Sequence, residues 1–467
     1  MPLDLAASAT VLLAALRAGR FSARELLEAA LARIAQQNGA LNALVALNPQ
    51  AAEAAAWADR ERAAGRERPL LGLPVTVKDA IDVAGLPTTA GVASRKGAVA
   101  GQDATVVARL RAAGAVIVGK SNLPPYAGDW QTDNRLFGRS NNPWDLARTP
   151  GGSTGGGAAA VAAGFSALEL GSDLAGSLRL PAAFTGIVGH RPSAGIVPMR
   201  GSFGGDGLGM TVLGPLARQP ADLAMVLDVL GGAGWQRLPA PRHDQLSSFR
   251  IAVAAPPPWL PVDAALWSAV EGLVEALRGA GATVMSLNGV AWPDQRELTA
   301  LFQRLLSAIT AAGMTAERRA SVAAAYRQLG DWQYEAAAEG FDASGQTLAA
   351  WLQQRGRLVA HCHAAFEQID LIIAPTTLGA AFPHDDRPLL ARQLIVEGSS
   401  VPYLRLAAWP ALASLPQLPA TAIPVGQNEQ GLPLGLQLIG PPREDRTPLR
   451  AATLIGEALE RKAESDN

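Results

Sequence analysis

The chain has 467 residues, a formal net charge of −1 and one cysteine, Cys362. Its length allows a large core and by itself favours two or three domains. The balanced charge excludes a basic nucleic-acid-binding surface, and the lone cysteine excludes an internal disulfide framework. The N-terminus lacks the basic start of a secretory signal, and no apolar run reaches the roughly 18 residues of a membrane helix. We therefore expect a cytoplasmic protein that contacts neither nucleic acid nor membrane.

Helical and strand patterns alternate along the chain, which is typical of α/β proteins. Helices are predicted at 8–17, 22–37, 51–64, 105–113, 220–230, 262–279 and 447–461. Strands are predicted at 72–79, 115–119, 166–170, 250–254, 283–285, 370–375, 420–425 and 434–439. The second helix begins with a capping box, Ser22 to Glu25. Residues 297–363 are predicted to be mostly helical.

Glycine, serine and alanine dominate residues 149–193. Two Gly/Ser loops, which contain Ser153 and Ser177, flank an Ala-rich helix (156–164) and a short strand. Small residues let one backbone approach another backbone or a ligand closely. Unpaired N–H groups at the start of a helix can hold an anion. The stretch therefore places two hydroxyl groups beside preformed N–H donors.

The histidines give little support for a metal site. His361, Cys362 and His363 are close in sequence, but residues two apart on a helix point to different faces. We interpret them as a helix surface with a buried thiol, and we expect no metal and no cofactor.

Gly151 to Gly155 matches the G-x-S-x-G pattern, which is the nucleophile elbow of α/β-hydrolases. That elbow needs a strand directly before the serine and an acid and a histidine downstream. Pro150 and its neighbours do not resemble a core strand, and no histidine lies in a distinctive loop. A phosphate-binding loop is excluded because no lysine follows the glycines in the required position. An esterase with Ser153 at an elbow remains an alternative.

Three polar residues remain, namely Lys78, Ser153 and Ser177. Taken singly, a lysine at a strand end is usually solvated and a serine between glycines is usually a turn residue. Taken together, in glycine-rich surroundings and in this order, they follow the pattern of a known family.

The chain resembles the amidase signature family. The defining stretch covers residues 151–156 and 171–184, and further family-like motifs lie at 72–79, 122–124, 214–218, 374–377 and 431–440. The resemblance implies an α/β fold in which residues 1–467 form one amidase domain, with a large mixed β-sheet flanked by helices on both faces. This overrides the domain number expected from length. A variable helical segment, at about 290–365, would cover the substrate pocket.

The resemblance also implies roles for residues. Ser177 would be the nucleophile, Ser153 the bridging serine that relays its proton, and Lys78 the base. Lysine accepts a proton only when it is neutral, so burial must lower its pKa from about 10.4. The peptide bond between Gly152 and Ser153 would be cis. Backbone N–H groups would form the oxyanion hole; they belong to Leu174, Ala175, Gly176 and Ser177.

Two further residues, Asp173 and Arg179, would shape this loop as structural ions, and two positions depart from the family pattern. Thr154 replaces a serine but keeps the hydroxyl group. Ala175 replaces a glycine, which matters if the backbone there needs a positive φ.

Two segments of the sequence bear on the substrate. The loop 126–131 would line the site through Tyr126, Ala127, Trp130 and Gln131. The Ala, Leu and Trp content of the variable segment favours a small apolar amide, with ester or carbamate cleavage as a side activity. We expect a monomer or homodimer rather than a component of a glutaminyl-tRNA enzyme. A non-catalytic binding protein on the same scaffold is the alternative from another class.

Overall fold

A mixed sheet of eleven strands forms the centre of the protein in the computed structural model, which describes residues 3–465. The strands, in chain order, are β1 (Leu44–Leu47), β2 (Pro74–Lys78), β3 (Val116–Ser121), β4 (Leu168–Asp173), β5 (Val188–Arg191), β6 (Val212–Ala217), β7 (Arg250–Val253), β8 (Thr283–Ser286), β9 (Leu371–Pro375), β10 (Gln393–Val396), β11 (Ser399–Pro402), β12 (Ala420–Gln427) and β13 (Pro433–Ile439). Their order across the sheet is β1-β3-β2-β4-β6-β5-β12-β13-β9-β7-β8, and β10 pairs with β11 in a separate hairpin.

The helices are, in chain order, α1 (Ala9–Arg17), α2 (Ala23–Leu41), α3 (Ala51–Ala63), α4 (Thr105–Ala112), α5 (Gly155–Ala162), α6 (Arg179–Thr185), α7 (Pro220–Gly231), α8 (Ala233–Gln236), α9 (Ala264–Gly279), α10 (Gln295–Ala311), α11 (Ala316–Arg327), α12 (Trp332–Phe341), α13 (Gly345–Ala365), α14 (Ala408–Ser414) and α15 (Arg446–Ser465). The capping box predicted at the start of α2 is present, with Ser22 and Glu25 bonded reciprocally. Within residues 3–465, no helix is long and apolar enough to cross a membrane.

Apolar side chains cover both faces of the sheet. Strand β9 shows this directly, because Leu371 and Ile373 belong to one buried cluster while Ile372 and Ala374 belong to another. Successive strand residues point to opposite faces, so these clusters lie on the two sides of the sheet. The first cluster packs against helices that include α2, α7 and α15, and the second against α10, α12 and α14. The α/β fold with helices on both faces is therefore confirmed.

Three strands that run parallel set the position of the polar residues. Strand β2 pairs in parallel with both β3 and β4. The carboxyl ends of these strands consequently lie at one edge of the sheet, where they place Lys78, Ser121 and Asp173 as their last residues. Open α/β sheets commonly bind ligands at such an edge.

Most predicted elements are confirmed, and the misses have local causes. Strand β6 was not predicted because it contains Gly214 and Pro215, which disfavour a central strand. Strands β1 and β5 were also missed; each has four residues, and β5 combines Gly189 with the polar His190 and Arg191, which a buried strand rarely contains. The strand predicted at 166–170 begins at Leu168 and runs on to Asp173, into the glycine-rich motif.

Gly119 in β3 allows close contact with β1. A methyl group there would overlap the carbonyl oxygen of Ala46, which is backbone and cannot move aside. We predict that Gly119→Ala lowers the free energy of unfolding by more than about 1 kcal/mol. In the matched control, Gly272→Ala in α9, the added methyl meets open space, so stability should rise by up to about 1 kcal/mol. Thermal melting of both variants tests this, and equal shifts would contradict the tight packing.

Candidate active site

Lys78 lies fully buried at the end of β2 and contacts three hydroxyl groups. Its Nζ atom is 2.7 Å from Ser153 Oγ, 3.0 Å from Thr154 Oγ1 and 3.0 Å from Ser172 Oγ. Burial lowers the pKa of Lys78 to about 7, although the nearby carboxylates of Glu169 and Asp173 oppose the shift. A large share of the side chain is therefore neutral at neutral pH, as a base must be.

The glycine-rich loop before α5 brings Ser153 to Lys78. The peptide bond between Gly152 and Ser153 is cis, as the resemblance predicted. A methyl group at Gly152 would lie 2.5 Å from the carbonyl oxygen of Asp129 and 2.7 Å from the carbonyl carbon of Trp130. Glycine at this position therefore lets the loop that carries Ser153 pack directly on the loop 126–131.

The first turn of α5, which is all glycine, packs against the residue that follows β3 and against the start of β4. A methyl group at Gly156 would lie 2.5 Å from the backbone nitrogen of Asn122, and one at Gly157 would overlap the Glu169 carboxyl group. This close approach explains the Gly/Ala composition of the helix.

Thr154 fits the site in spite of its departure from the family pattern. Its hydroxyl group accepts a hydrogen bond from Lys78 and donates one to the carbonyl oxygen of Ser172, at 3.3 Å. The extra methyl group packs over Gly171, where a side chain could not fit.

The carboxylate of Asp173 shapes the loop that follows β4. Its Oδ1 accepts from the N–H of Gly176 at 3.0 Å, and its Oδ2 accepts from the N–H of Leu178 at 3.1 Å. Arg179 donates to both oxygens, at 2.9 and 3.0 Å, and all these groups are buried. Burial alone raises the pKa of the Asp173 carboxyl group, but the charges of Arg179 and Arg191 and the hydrogen bonds from Arg179 and the Leu178 N–H together outweigh it and hold the pKa well below its usual range.

The predicted set of oxyanion donors needs a correction at Gly176. Its N–H donates to Asp173 and is not available to a ligand. Among the residues that the structure describes, no hydrogen-bond partner is found for the N–H groups of Leu174, Ala175 and Ser177. The positive φ of the loop falls on Gly176, at 90°, and not on Ala175. Alanine at position 175 is therefore compatible with the loop.

Ser177 is 7% exposed and lies in the wall of a cavity. Its carbonyl oxygen accepts from the N–H of Thr154 at 3.2 Å, which ties it to the Ser153 loop. Within residues 3–465, no hydrogen bond joins the hydroxyl groups of Ser177 and Ser153. Catalytic hydrogen bonds are often long before a substrate is bound and shorten in the complex.

The cavity beside Ser177 has a volume of about 230 Å³. Apolar and polar groups share its wall. It is lined by Ala127, Gly128, Asp129, Trp130, Leu174, Ala175, Ser177, Gln303, Leu306, Ser307, Thr310, Tyr326, Phe341, Leu389 and Leu404. The helical segment contributes through α10, α11 and α12.

Of the four residues predicted to contact the substrate, two line the cavity and two do not. Ala127 and Trp130 line the cavity, and the indole N–H of Trp130 donates to the carbonyl oxygen of Ala175 at 2.8 Å. Tyr126 does not line it, because its ring is 61% exposed and stacks on Phe203. Gln131 is also outside, since its amide group pairs with the backbone of Asp385 at 2.9 Å.

Sequence reasoning missed the polar residues of the cavity wall. Gln303, Ser307 and Thr310 lie on one face of α10, at helical spacing around Leu306. A polar stripe of this kind on a helix with a strong apolar face was the available signal. Tyr326 adds a hydroxyl group that stays protonated, because burial raises its pKa to about 12.

The histidine and cysteine cluster is placed as interpreted. Cys362 is buried on α13, and His363 contacts the carbonyl oxygen of Pro416. In the part of the chain that is described, no three His, Cys, Asp or Glu side chains group as metal ligands would. The loop before Ser153 is not a strand, and the partner of its hydroxyl group is Lys78 rather than a histidine, which argues against the elbow.

Comparison with known proteins assigns this site to a class. The sequence model of the Amidase family matches residues 25–449, which is most of the chain. The protein therefore belongs to the amidase signature family of hydrolases.

Individual relatives cover nearly the whole chain. The A subunit of glutamyl-tRNA(Gln) amidotransferase from Anaeromyxobacter sp. (strain K) is 35% identical over 96% of this chain and 94% of its own length. The native peptide amidase from Stenotrophomonas maltophilia has a TM-score of 0.76 and is 28% identical, with 97% of each chain covered. A further similar structure has a TM-score of 0.81 and is 28% identical, with 97% of this chain and 98% of the other covered. It comes from a study of a vestigial protein complex that reveals the evolutionary origins of an s-triazine catabolic enzyme.

Asp173 neutralises a guanidinium that has no access to water. We predict that Asp173→Asn lowers the free energy of unfolding by about 3 kcal/mol or more, because a buried cation then lacks its partner. Asp386→Asn is the matched control, since that carboxylate pairs with Arg139 while 77% exposed, and its loss should change stability little. Thermal melting measures both, and an Asp173→Asn variant as stable as the control would contradict this role.

Proposed function

We propose that the protein is a serine amidohydrolase that cleaves the C–N bond of a small, largely apolar amide through an acyl-enzyme. The observation that carries this proposal is the fully buried Lys78, 2.7 Å from Ser153, beside a cavity that Ser177 lines. Ser177 is the nucleophile, Ser153 the proton shuttle and Lys78 the base. Membership in the amidase family supports the class of reaction.

The proton pathway follows from the positions of the hydroxyl groups. Ser177 transfers its proton to Ser153, Ser153 transfers its own proton to neutral Lys78, and the Ser177 oxygen attacks the carbonyl carbon. The proton then returns through Ser153 to the leaving nitrogen as the C–N bond breaks. Water enters and hydrolyses the acyl-enzyme by the same route, which regenerates the serine.

The negative charge that develops on the carbonyl oxygen needs donors that are already in place. The N–H groups of Leu174, Ala175 and Ser177 supply them, and one such donor is worth about 3–4 kcal/mol in the transition state. Gly176 contributes its positive φ instead of its N–H. Trp130 holds this loop through the carbonyl oxygen of Ala175.

A second candidate comes from the curated relatives, several of which are named as the A subunit of a glutamyl-tRNA(Gln) amidotransferase. In that case the chain would act with partner proteins rather than as a monomer or homodimer. Two measurements separate the candidates: ammonia release from free glutamine compared with turnover of aryl amides, and the mass of the purified protein in solution. Efficient turnover of aryl amides by the chain alone favours the first proposal.

Replacement of the nucleophile tests the mechanism. We predict that Ser177→Ala lowers kcat/KM by at least about a thousandfold without changing the melting temperature, since the side chain makes no structural hydrogen bond. Thr154→Ser is the matched control, because it keeps the hydroxyl group that accepts from Lys78. Residual activity of Ser177→Ala near the wild-type value would contradict the assignment.

The dependence of rate on pH tests the base. Because the pKa of Lys78 is lowered to about 7 and its neutral form accepts the proton, kcat/KM should rise as pH increases through about 7 and level off above it. Lys78→Arg should be inactive across this range, since arginine stays protonated. A wild-type profile that is flat between about pH 5 and 9 would rule out a lysine base.

A further inference from the structure

The cavity beside Ser177 contains one kind of formal charge. In the described part of the chain, Asp129 has a charged side chain and the other residues that line the cavity are uncharged. The α10 wall contributes Gln303, Ser307 and Thr310, which are neutral hydrogen-bonding groups. The cavity wall therefore carries one carboxylate, which is ion-paired with Arg392, a residue that does not line the cavity.

Asp129 is held in place by three donors. The hydroxyl group of Tyr403 donates to Oδ1 at 2.7 Å, the N–H of Gln131 donates to the same oxygen at 3.3 Å, and Arg392 donates to Oδ2 at 2.6 Å. The Arg392 guanidinium lies over the Tyr403 ring and does not line the cavity. A carboxylate accepts about four hydrogen bonds, so Asp129 retains capacity for one donor from a ligand.

The position of Asp129 relative to the nucleophile is fixed by its neighbours in sequence. Trp130 is bonded to the carbonyl oxygen of Ala175 in the oxyanion loop, and the carbonyl oxygen of Asp129 packs against Gly152, next to Ser153. The carboxylate consequently belongs to the same rigid wall as Ser177. A substrate group that contacts it is placed in a defined orientation to the reacting carbonyl.

We propose that Asp129 selects the charge of the substrate. It accepts a hydrogen bond from an N–H or ammonium group in the part of the amide that fills the cavity, and it excludes amides with a carboxylate there. This inference rests on the proposed function and narrows its substrate class to neutral or amino-bearing amides. Asp129 is ion-paired with Arg392, so its selectivity comes from hydrogen bonding: the one acceptor position that remains favours an N–H or ammonium donor, whereas a substrate carboxylate would bring a second acceptor.

Three reactive probes test the inference on the whole protein. They are fluorophosphonates with tails of equal length that end in a methyl, an ammonium or a carboxylate group. The measured quantity is the second-order rate of covalent labelling, followed by intact mass. We expect the carboxylate probe to react at least about tenfold more slowly than the ammonium probe.

Two variants and a control isolate Asp129. Asp129→Asn should bring the ratio of the ammonium and carboxylate rates close to one, while Asp386→Asn should leave it unchanged because that residue lies outside the cavity. Thr310→Lys adds a cation at an exposed position of the rim, where it should not disturb folding, and should accelerate the carboxylate probe.

The outcomes separate this inference from the proposed function. If the methyl probe fails to label the wild-type protein, the proposed function is contradicted and the inference falls with it. If the methyl probe labels but the three rates are equal, or if a folded Asp129→Asn variant keeps the wild-type ratio, the charge selection alone is overturned.

Discussion

The buried carboxylate of Asp173 is the group on which the geometry of the site depends. It binds the N–H groups of Gly176 and Leu178 and the guanidinium of Arg179, all shielded from water. In a low-dielectric interior such charge-assisted hydrogen bonds are strong, provided that every partner is present. Ser177 lies between the two anchored N–H groups, so its backbone is fixed while its own N–H remains available to a substrate. The arrangement uses two donors to set the shape of the loop and leaves three that have no partner among the described residues, which the proposed mechanism assigns to the oxyanion.

Burial disfavours the charged form of Lys78 as it does that of Asp173, but the outcome differs because their partners differ. Asp173 remains ionised because guanidinium groups surround it, whereas Lys78 is surrounded by hydroxyl groups and its pKa is lowered to about 7. Gly156 and Gly157 pack closely against Asn122 and Glu169, and this holds the start of α5, the helix that follows Ser153. A lysine kept without a carboxylate partner in direct contact costs stability, which is the usual compromise at catalytic sites.

Sequence reasoning singled out Lys78, Ser153 and Ser177 because together, in glycine-rich motifs, they follow the pattern of a known family, and it found the fold class from the alternation of helices and strands. It placed all four oxyanion donors on one loop but could not foresee that Asp173 would take the N–H of Gly176. It also gave Gln131 to the substrate, although a contact with Asp385, which is remote in sequence, holds that side chain elsewhere. Cavity residues such as Gln303 and Tyr326 come from separate helices, and tertiary packing rather than local pattern brings them together.

Identification of the serine that reacts with a fluorophosphonate is the most direct test of whether Ser177 is the nucleophile. The protein would be treated with a simple fluorophosphonate, weighed intact and digested for peptide mapping. We expect one adduct per chain, on the peptide that contains Ser177, and no adduct in the Ser177→Ala variant. An adduct on Ser153, or an unlabelled protein that still turns over amides, would contradict this assignment.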